Sequence, residues 1–299
     1  MSRPGAVGAA GAAGEAGLLA AAAPALFVLL WASGFIVARY GMPHAPPLAF
    51  LSVRFALAMA VLVAMAAATR APWPRGALRA HLCVAGILIQ AGYLSGVWCA
   101  VRLGMPAGVS SLIVNLQPIL TAAAGPWLGE RVTRLQWVGL LLGLGGVTLV
   151  VADKMTVQGL SAATVALSVF SLASITAGTL YQKRFCPAFD LRTGVAVQYA
   201  ASLAVVLPLA LWLEDWRFDW TGELVFAMAW SVLALSVGAI FLMFGLIRRG
   251  AATRVASLFY LVPLATVAMA WVLFGERFTP LAAAGLVVTT VGVAIVQRR

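Results

Sequence analysis

Two stretches of this chain are near copies of each other: LGERVTRLQWVGLLLGLGGVTLVV at residues 128–151 and FGERFTPLAAAGLVVTTVGVAIVQ at residues 274–297. At a shift of 146 positions, many residues of the first stretch recur in the second. They include Gly129, Glu130, Arg131, Thr133, Leu135, Gly139, Leu140, Gly146 and Val147. Just upstream, Pro118 matches Pro263 at a shift of 145. Any two apolar segments can agree at Leu and Val by chance. Chance does not explain a shared Gly-Glu-Arg-x-Thr sequence together with a matched Pro, so the chain contains an internal duplication.

The composition places this duplication in a membrane. Of the 299 residues, 63% are hydrophobic and 10% are charged, whereas a soluble domain carries about 25% charged residues. The formal net charge of +11 comes from Arg residues in short gaps between apolar runs, which is the pattern that orients membrane helices. The chain has no basic stripe interleaved with aromatic residues, which argues against nucleic-acid binding.

Ten apolar runs are long enough to span a bilayer, which needs about 20 residues for each helix. They cover residues 25–42, 47–69, 79–102, 106–128, 134–152, 159–183, 192–213, 222–247, 252–274 and 279–297. The sequence therefore predicts an all-α integral membrane protein with ten transmembrane helices in two inverted five-helix repeats. The first repeat is predicted over residues 25–152 and the second over 159–297, after a disordered cytoplasmic tail at residues 1–24.

The distribution of positive charge predicts the orientation. With ten spans, fourteen of the twenty Lys and Arg residues fall on the face that carries both termini, and five fall on the opposite face. Both termini are therefore predicted to be cytoplasmic. Because each repeat holds an odd number of spans, the second repeat enters the membrane upside down. Inverted repeats of this kind are typical of secondary transporters, which bind substrate near the midplane between the halves.

Other classes of function find little support. Cys83, Cys99 and Cys186 show no metal-ligand spacing, and the two histidines, His44 and His81, lie near predicted helix ends. No span contains a metalloprotease motif, a nucleophile elbow or paired carboxylates at mid-depth. We therefore expect no metal, no cofactor and no enzymatic activity.

Several motifs resemble the EamA-type branch of the drug/metabolite transporter superfamily over about residues 25–297. They are LLWASGF (29–35), PPLAFLSVRFALA (46–58) and the Pro-then-GER pattern near the end of each half. The resemblance implies ten helices in two inverted halves, a bacterial inner membrane location, and export of amino acids or related metabolites.

One departure from the superfamily bears on energy coupling. Its small multidrug members use a membrane-embedded Glu in the first helix for proton coupling, but the first span here, residues 25–42, contains no acid. No predicted span carries Asp or Glu at mid-depth. Proton coupling through a buried carboxylate is therefore not expected. Facilitated diffusion and exchange are alternatives to proton antiport.

Arg54 is the clearest candidate for a substrate contact, because it lies about two turns inside the second predicted span. Its forked guanidinium suits an anionic group such as a substrate carboxylate. The alternative interpretation is that Arg54 snorkels to the external headgroups.

The third span contributes further polar candidates. Gln90 and Tyr93 stand three residues apart and so share a helix face, and Trp98 follows. In a dry bundle these side chains need hydrogen-bond partners, so they should point inward. They would either contact substrate or make helix–helix hydrogen bonds.

The fourth span is predicted to break. Pro118 removes a backbone donor and kinks the helix, close to Asn115 and Gln117. Tyr260 stands beside Pro263 at the matching place in the second half. Polar residues beside two such breaks are what a midplane site requires, although Asn115 and Gln117 could also serve helix packing.

Trp31 and Gln198 complete the predicted lining, Trp31 as an aromatic wall; a lone Trp also packs or faces lipid. The sequence thus predicts a secondary transporter, a monomer or homodimer, whose partners are the lipid bilayer and a small-molecule substrate. The alternative is a membrane accessory protein or a component of a lipid-headgroup flippase. Substrate identity and direction stay open.

Overall fold

The computed structural model describes residues 6–124, 133–154, 160–239, 241–242, 258–259, 261–276 and 279–297. It leaves out the side chains of residues 6–21, 122, 136, 140, 151–154 and 296–297. Every regular element in these ranges is helical. The protein is therefore all-helical in the part of the chain that the structure describes.

The first half contains seven helices in the described ranges: α1 (Ala6–Gly41), α2 (Pro47–Ala68), α3 (Gly76–Gly86), α4 (Tyr93–Arg102), α5 (Ala107–Val114), α6 (Gln117–Ala123) and α7 (Arg134–Lys154). A π-helical segment, Ile87–Gly92, joins α3 to α4 so that they form one rod. The disordered tail predicted over residues 1–24 stays a prediction, and α1 begins within that range.

The second half contains five α-helices in the described ranges: α8 (Ala162–Phe185), α9 (Leu191–Leu213), α10 (Gly222–Ala229), α11 (Leu261–Phe274) and α12 (Pro280–Gln297). Helix α10 continues directly into a second π-helical segment, Trp230–Ala239. The two π segments lie in the third span of each half.

Within the residues that the structure describes, six helices are long and apolar enough to cross a membrane: Ala22–Gly41, Pro47–Ala68, Gly76–Arg102, Ala162–Phe185, Leu191–Leu213 and Gly222–Ala239. Four shorter apolar helices cover Ala107–Thr121, Trp137–Val150, Leu261–Phe274 and Pro280–Ile295. The chain is accordingly a multi-pass membrane protein. The count of ten spans stays a prediction, because the predicted spans 106–128, 222–247 and 252–274 run into residues that lie outside the described ranges.

Helices that correspond in the two repeats pack against each other across the interface between the halves. Helix α2 packs on α9, and α7 packs on α12. Helix α1 packs on α10 and α11 of the second half. Helix α8 packs on α3, α4, α5 and α6 of the first half. This reciprocal arrangement is what a twofold relation between two duplicated halves requires.

The α7–α12 contact is close because glycines line it. A Cβ atom added at Gly146 would lie 2.5 Å from the carbonyl oxygen of Gly285, and one added at Gly292 would lie 2.5 Å from the backbone nitrogen of Gly143. No side-chain carbon fits at these distances, so the two backbones touch directly. The glycine-rich stretches 139–146 and 285–292 therefore pack as small residues do at close contacts between membrane helices.

Large apolar side chains cover the outside of the bundle. Trp212 is 81% exposed and Leu141 is 67% exposed, whereas many serines and threonines are buried. A water-soluble protein shows the opposite distribution. An apolar exterior with polar groups inside is appropriate to a protein surrounded by lipid.

Candidate substrate site

The Arg54 side chain lies inside the bundle, between the two halves. It is the eighth residue of α2, about two turns from the helix start, and it is 5% exposed. Its Nε and Nη2 atoms both donate to the hydroxyl oxygen of Ser236, each at 3.3 Å. Ser236 belongs to the π segment of the second half. A snorkelling arginine would instead reach an exposed end of the bundle.

Aromatic side chains of both halves surround the guanidinium. The Arg54 Cζ atom lies 5.8 Å from the centre of the Trp98 ring, a distance at which a cation is attracted to an aromatic face. Trp98 is 1% exposed. Tyr93 of the first half and Tyr199 of the second half both lie within electrostatic range of the guanidinium. The structure therefore brings together Arg54, Tyr93 and Trp98, three of the residues predicted from the sequence.

The positive charge of Arg54 has no carboxylate beside it among the residues that the structure describes. The ion pairs found there lie elsewhere, between His44 and Glu223 and between Asp190 and Arg192. Burying an unpaired charge is costly, and a hydroxyl group compensates it only in part. The arrangement favours a bound anionic group next to Arg54.

The π-helical geometry presents Ser236 to Arg54. The Ser236 hydroxyl donates to the carbonyl of Ser231, five residues earlier, at 2.9 Å, which is the π-helical spacing. In the other half, the carbonyl of Leu88 in the π segment accepts a bond from the Ser174 hydroxyl at 2.9 Å. Single π turns in α-helices occur frequently at functional sites, and here they occur at matching places in the two repeats.

The helix of the fourth span is interrupted at Asn115, close to the proline at which the sequence predicts a kink. Helix α5 ends at Val114 and α6 begins at Gln117. The backbone N–H of Leu116 donates to Ile113 at 3.1 Å, three residues back instead of four. Pro118 has no N–H, so the carbonyl of Val114 loses its helical donor. The break thus leaves hydrogen-bond acceptors free within a span.

The Asn115 side chain is half-buried at this break. Its Nδ2 atom donates to the Ser111 carbonyl at 2.7 Å, which holds the amide over the end of α5. With Nδ2 occupied in this way, the amide oxygen Oδ1 is the group left to accept a bond. Pro263, the matching proline, is buried in α11, and Tyr260 lies outside the described residues.

The other predicted lining residues have neighbours of their own. Trp31 is half-buried, with its ring centre 5.6 Å from that of Phe27 and 5.1 Å from that of Phe259. Gln90 lies in the first π segment, half-buried, and its side chain makes no hydrogen bond to any residue in the described ranges. No contact given by the structure joins Trp31 or Gln90 to Arg54, and their roles stay predictions.

Gln117 and Gln198 make hydrogen bonds between helices. Gln117 Nε2 donates to the Thr179 hydroxyl of α8 at 2.9 Å, and Gln198 Nε2 donates to the Oε1 atom of Gln182 at 2.6 Å. These are the helix–helix bonds that compete with a substrate role. Their part in binding stays a prediction.

The sequence interpretation missed Ser236. It lies in an apolar run that gives no sign of a site. The one available signal is the five-residue separation of Ser231 and Ser236, which becomes meaningful only when the helix is known to widen into a π turn. Tyr199, in contrast to Ser236, is a polar aromatic residue inside a predicted span, and the structure places it within electrostatic range of Arg54.

A bundle of apolar helices in two corresponding halves, with a charged side chain buried where the halves meet, has the architecture of a membrane transporter. Residues 16–152 and residues 162–298 each match the EamA-like transporter family. The chain belongs to this family and carries its domain twice. The family relation predicted from the motifs is thereby confirmed.

Several curated relatives are similar to this chain over most of its length. A "probable amino-acid metabolite efflux pump" of Salmonella typhimurium is 29% identical, covering 90% of this chain and 92% of the relative. The protein of the same name from Escherichia coli is 26% identical, with 90% and 92% covered. A "probable terminal-alkyne amino-acid exporter" of Streptantibioticus cattleyicolor is 28% identical and covers 92% of each chain.

A solved crystal structure shares the fold. It superposes with a TM-score of 0.62 and covers 94% of this chain and 98% of its own chain. The sequence identity is 18%, so the likeness concerns the fold alone.

Proposed function

We propose that this transporter exports amino acids or related small metabolites by alternating access. The observation that carries the proposal is the Arg54 guanidinium, buried between the halves with a hydroxyl as its hydrogen-bond acceptor and no carboxylate within 4.0 Å among the described residues. The names of the relatives from Salmonella and Streptantibioticus support the same substrate class.

Arg54 would bind the substrate carboxylate. A guanidinium has five N–H donors, and Ser236 accepts from one on Nε and one on Nη2. The two donors on Nη1 and the second donor on Nη2 are left for a carboxylate, which guanidinium binds in a two-pronged geometry. Trp98 and the two tyrosines exclude water from this side, which strengthens the interaction.

The break in the fourth span would bind the substrate ammonium. The Val114 carbonyl and the Asn115 Oδ1 atom are acceptors without a helical partner, at the negative end of the α5 dipole. Unwound carbonyls and helix ends near the midplane bind cationic groups in transporters. An anion site and a cation site in one interface together select a zwitterion over a simple carboxylic acid.

The arrangement in the membrane is part of this proposal. We place ten spans in two inverted halves, with both termini in the cytoplasm, because of the fourteen-to-five distribution of positive charge. Bacterial relatives include an "inner membrane transporter" of Escherichia coli, which supports the same membrane for this chain.

Counterflow in proteoliposomes tests the proposal. Liposomes loaded with one unlabelled amino acid at a time would accumulate the labelled compound, and Arg54→Ala and Asn115→Ala would each abolish accumulation. Arg217→Ala, which removes an exposed external arginine, is the matched control and should leave it unchanged. Accumulation that survives both site substitutions would remove the proposed site. Absence of accumulation for every amino acid would remove the proposed substrate class.

A further inference from the structure

Helices α2 and α5 of the first half begin without a local cap. The N-cap positions of α2 and α5 are Pro46 and Pro106, and neither helix has a side-chain cap hydrogen bond from that position. Helices start with backbone N–H groups that have no partner inside the helix, and a capping side chain normally accepts from one of them. Both starts lie at the same end of the bundle.

Carboxylates of the second half take this role. Glu214, which follows α9, accepts from the N–H of Leu48 through Oε1 at 3.0 Å and from the N–H of Ala49 through Oε2 at 2.8 Å. Glu276, which follows α11, has its Oε1 atom 3.4 Å from the backbone nitrogen of Ala107. Each capping residue is more than 160 positions from the helix that it caps.

These contacts are favourable for two reasons. A carboxylate at a helix N-terminus is attracted to the positive end of the helix dipole, and an ionised acceptor makes a stronger hydrogen bond than a neutral one. The second oxygen of Glu276, Oε2, is buried and has no hydrogen-bond partner among the described residues. The Ala107 N–H is therefore the bond that the structure gives to this carboxylate.

Weaker contacts join the loop after α1 to the loop between α9 and α10 and to the start of α10. The N–H of Asp219 donates to the His44 carbonyl at 2.9 Å, and His44 Nε2 lies 2.9 Å from Glu223 Oε2. The His44–Glu223 pair is exposed, so it contributes little. The two glutamate caps, by contrast, lie partly sheltered from solvent and join the halves at this end of the bundle.

We propose that Glu214 and Glu276 form a latch that closes this end of the interface between the halves. The inference rests on the alternating access of the proposed function, with this end on the external side. To open outward, the halves separate here, both carboxylates leave the helix starts, and water replaces them at the N–H groups. Because water is an adequate partner for those groups, the latch opens reversibly.

The chain contains a reporter for this opening. Cys99 lies one turn before the end of α4, half-buried, within electrostatic range of Glu214. Cys83 in α3 and Cys186 after α8 lie towards the other end of the bundle. Replacing Cys83 and Cys186 by Ser leaves Cys99 as the one thiol of the chain.

The experiment measures the rate at which a membrane-impermeant maleimide labels Cys99 in proteoliposomes, with no substrate present. Glu214→Gln and Glu276→Gln keep the side-chain size but remove the charge. Each should raise the labelling rate about two- to five-fold, because the neutral amide loses the attraction to the helix dipole, and the double variant should raise it further. Asp215→Asn is the matched control, since Asp215 is an exposed acid of the same loop whose side chain makes no hydrogen bond or ion pair with any described residue, and it should label at the parent rate.

The outcomes separate the latch from local loosening. A rise in Glu214→Gln alone, without a rise in Glu276→Gln, would mean that only the surroundings of Cys99 had loosened, and it would overturn the latch. Unchanged labelling in both, or an equal rise in Asp215→Asn, would also overturn it. Size-exclusion profiles show whether each variant folds; a misfolded one is replaced by the Glu→Asp variant, whose shorter reach should give an intermediate rise.

The latch and the proposed function fail separately. Labelling of Cys99 needs no substrate, whereas counterflow needs the right one. Labelling that rises as expected while no amino acid accumulates would retain the latch and remove the substrate class. Normal counterflow with unchanged labelling would retain the substrate class and remove the latch.

Discussion

Arg54 of the first half and Ser236 of the second half meet through a forked hydrogen bond, with Nε and Nη2 of the guanidinium both 3.3 Å from the same hydroxyl oxygen. The bond connects α2 with the π segment that follows α10. It fixes the direction in which the remaining guanidinium donors point.

Removal of this hydroxyl should weaken substrate binding. In Ser236→Ala the buried guanidinium loses its acceptor, an unsatisfied charged group costs about 1–3 kcal/mol, and the guanidinium is no longer held in place. We expect the KM for the transported amino acid to rise about ten-fold or more, measured as initial rates of counterflow. Ser236→Thr keeps the hydroxyl and should restore most of the affinity; equal KM values for the Ala and Thr variants would contradict the role of the bond.

Alanine substitutions at two neighbouring glycines of α7 should have opposite effects. Gly146→Ala puts a Cβ atom 2.5 Å from the Gly285 carbonyl oxygen, while a Cβ atom at Gly145 meets nothing within 4 Å. Overpacking costs about 1–3 kcal/mol, and an unhindered Gly→Ala change in a helix gains up to about 1 kcal/mol. Thermal denaturation in detergent should show a lower Tm for Gly146→Ala and an unchanged or higher Tm for Gly145→Ala. A Gly146→Ala protein as stable as the parent would mean that the helices separate easily.

The start of α9 should be sensitive to acid. The hydrogen bond from the Arg192 side chain holds the pKa of the Asp190 carboxyl below its usual range, and the Arg192 backbone N–H bonds to the same carboxylate. Because the pKa is lower in the folded protein, this stabilisation is complete above the unfolded pKa and is lost as the pH falls through the folded one. Asp190→Ala should therefore lower the Tm at neutral pH by the loss of a cap worth about 1 kcal/mol. The difference from the parent should shrink in acid, and a difference that is constant with pH would contradict this assignment.

Transport should proceed without net proton movement. No predicted span carries Asp or Glu at mid-depth, so the proposed site lacks a carboxyl group that could exchange a proton for substrate. In liposomes loaded with a pH-sensitive dye, amino-acid counterflow should leave an imposed pH gradient intact. Collapse of the gradient in step with substrate, and only when substrate is added, would show that another group carries the proton.

Some of this architecture was predictable because it repeats in the sequence. The matched prolines, Pro118 and Pro263, and the glycines around Gly146 recur at nearly constant shifts, and each has a local consequence: a proline removes a donor, and a glycine permits close approach. The break at Asn115 and the α7–α12 contact follow from these residues. Arg54 was predictable for a related reason: a charged residue inside an apolar span is costly, so its presence indicates a functional site.

The remaining features depend on long-range geometry. Nothing near Leu48 in the sequence indicates that Glu214 will cap its helix, because the two residues meet only when the halves pack. A π turn shifts the helix register by one residue, which hydrophobic periodicity does not show, so Ser236 could not be aligned with Arg54. For Gln117 and Gln198, the sequence shows an amide inside a predicted span but not its neighbour, and the structure shows that each has a partner on another helix.

The touching backbones of α7 and α12 also affect the biogenesis of the protein. Ribosomes add about 5–20 residues per second, so Gly285 emerges about 7–30 seconds after Gly146. During that interval the glycine face of α7 meets lipid, or the insertion machinery, in place of its partner. The first half must therefore persist in the bilayer with this face uncovered, and co-expression of the two halves as separate polypeptides should allow them to associate through it.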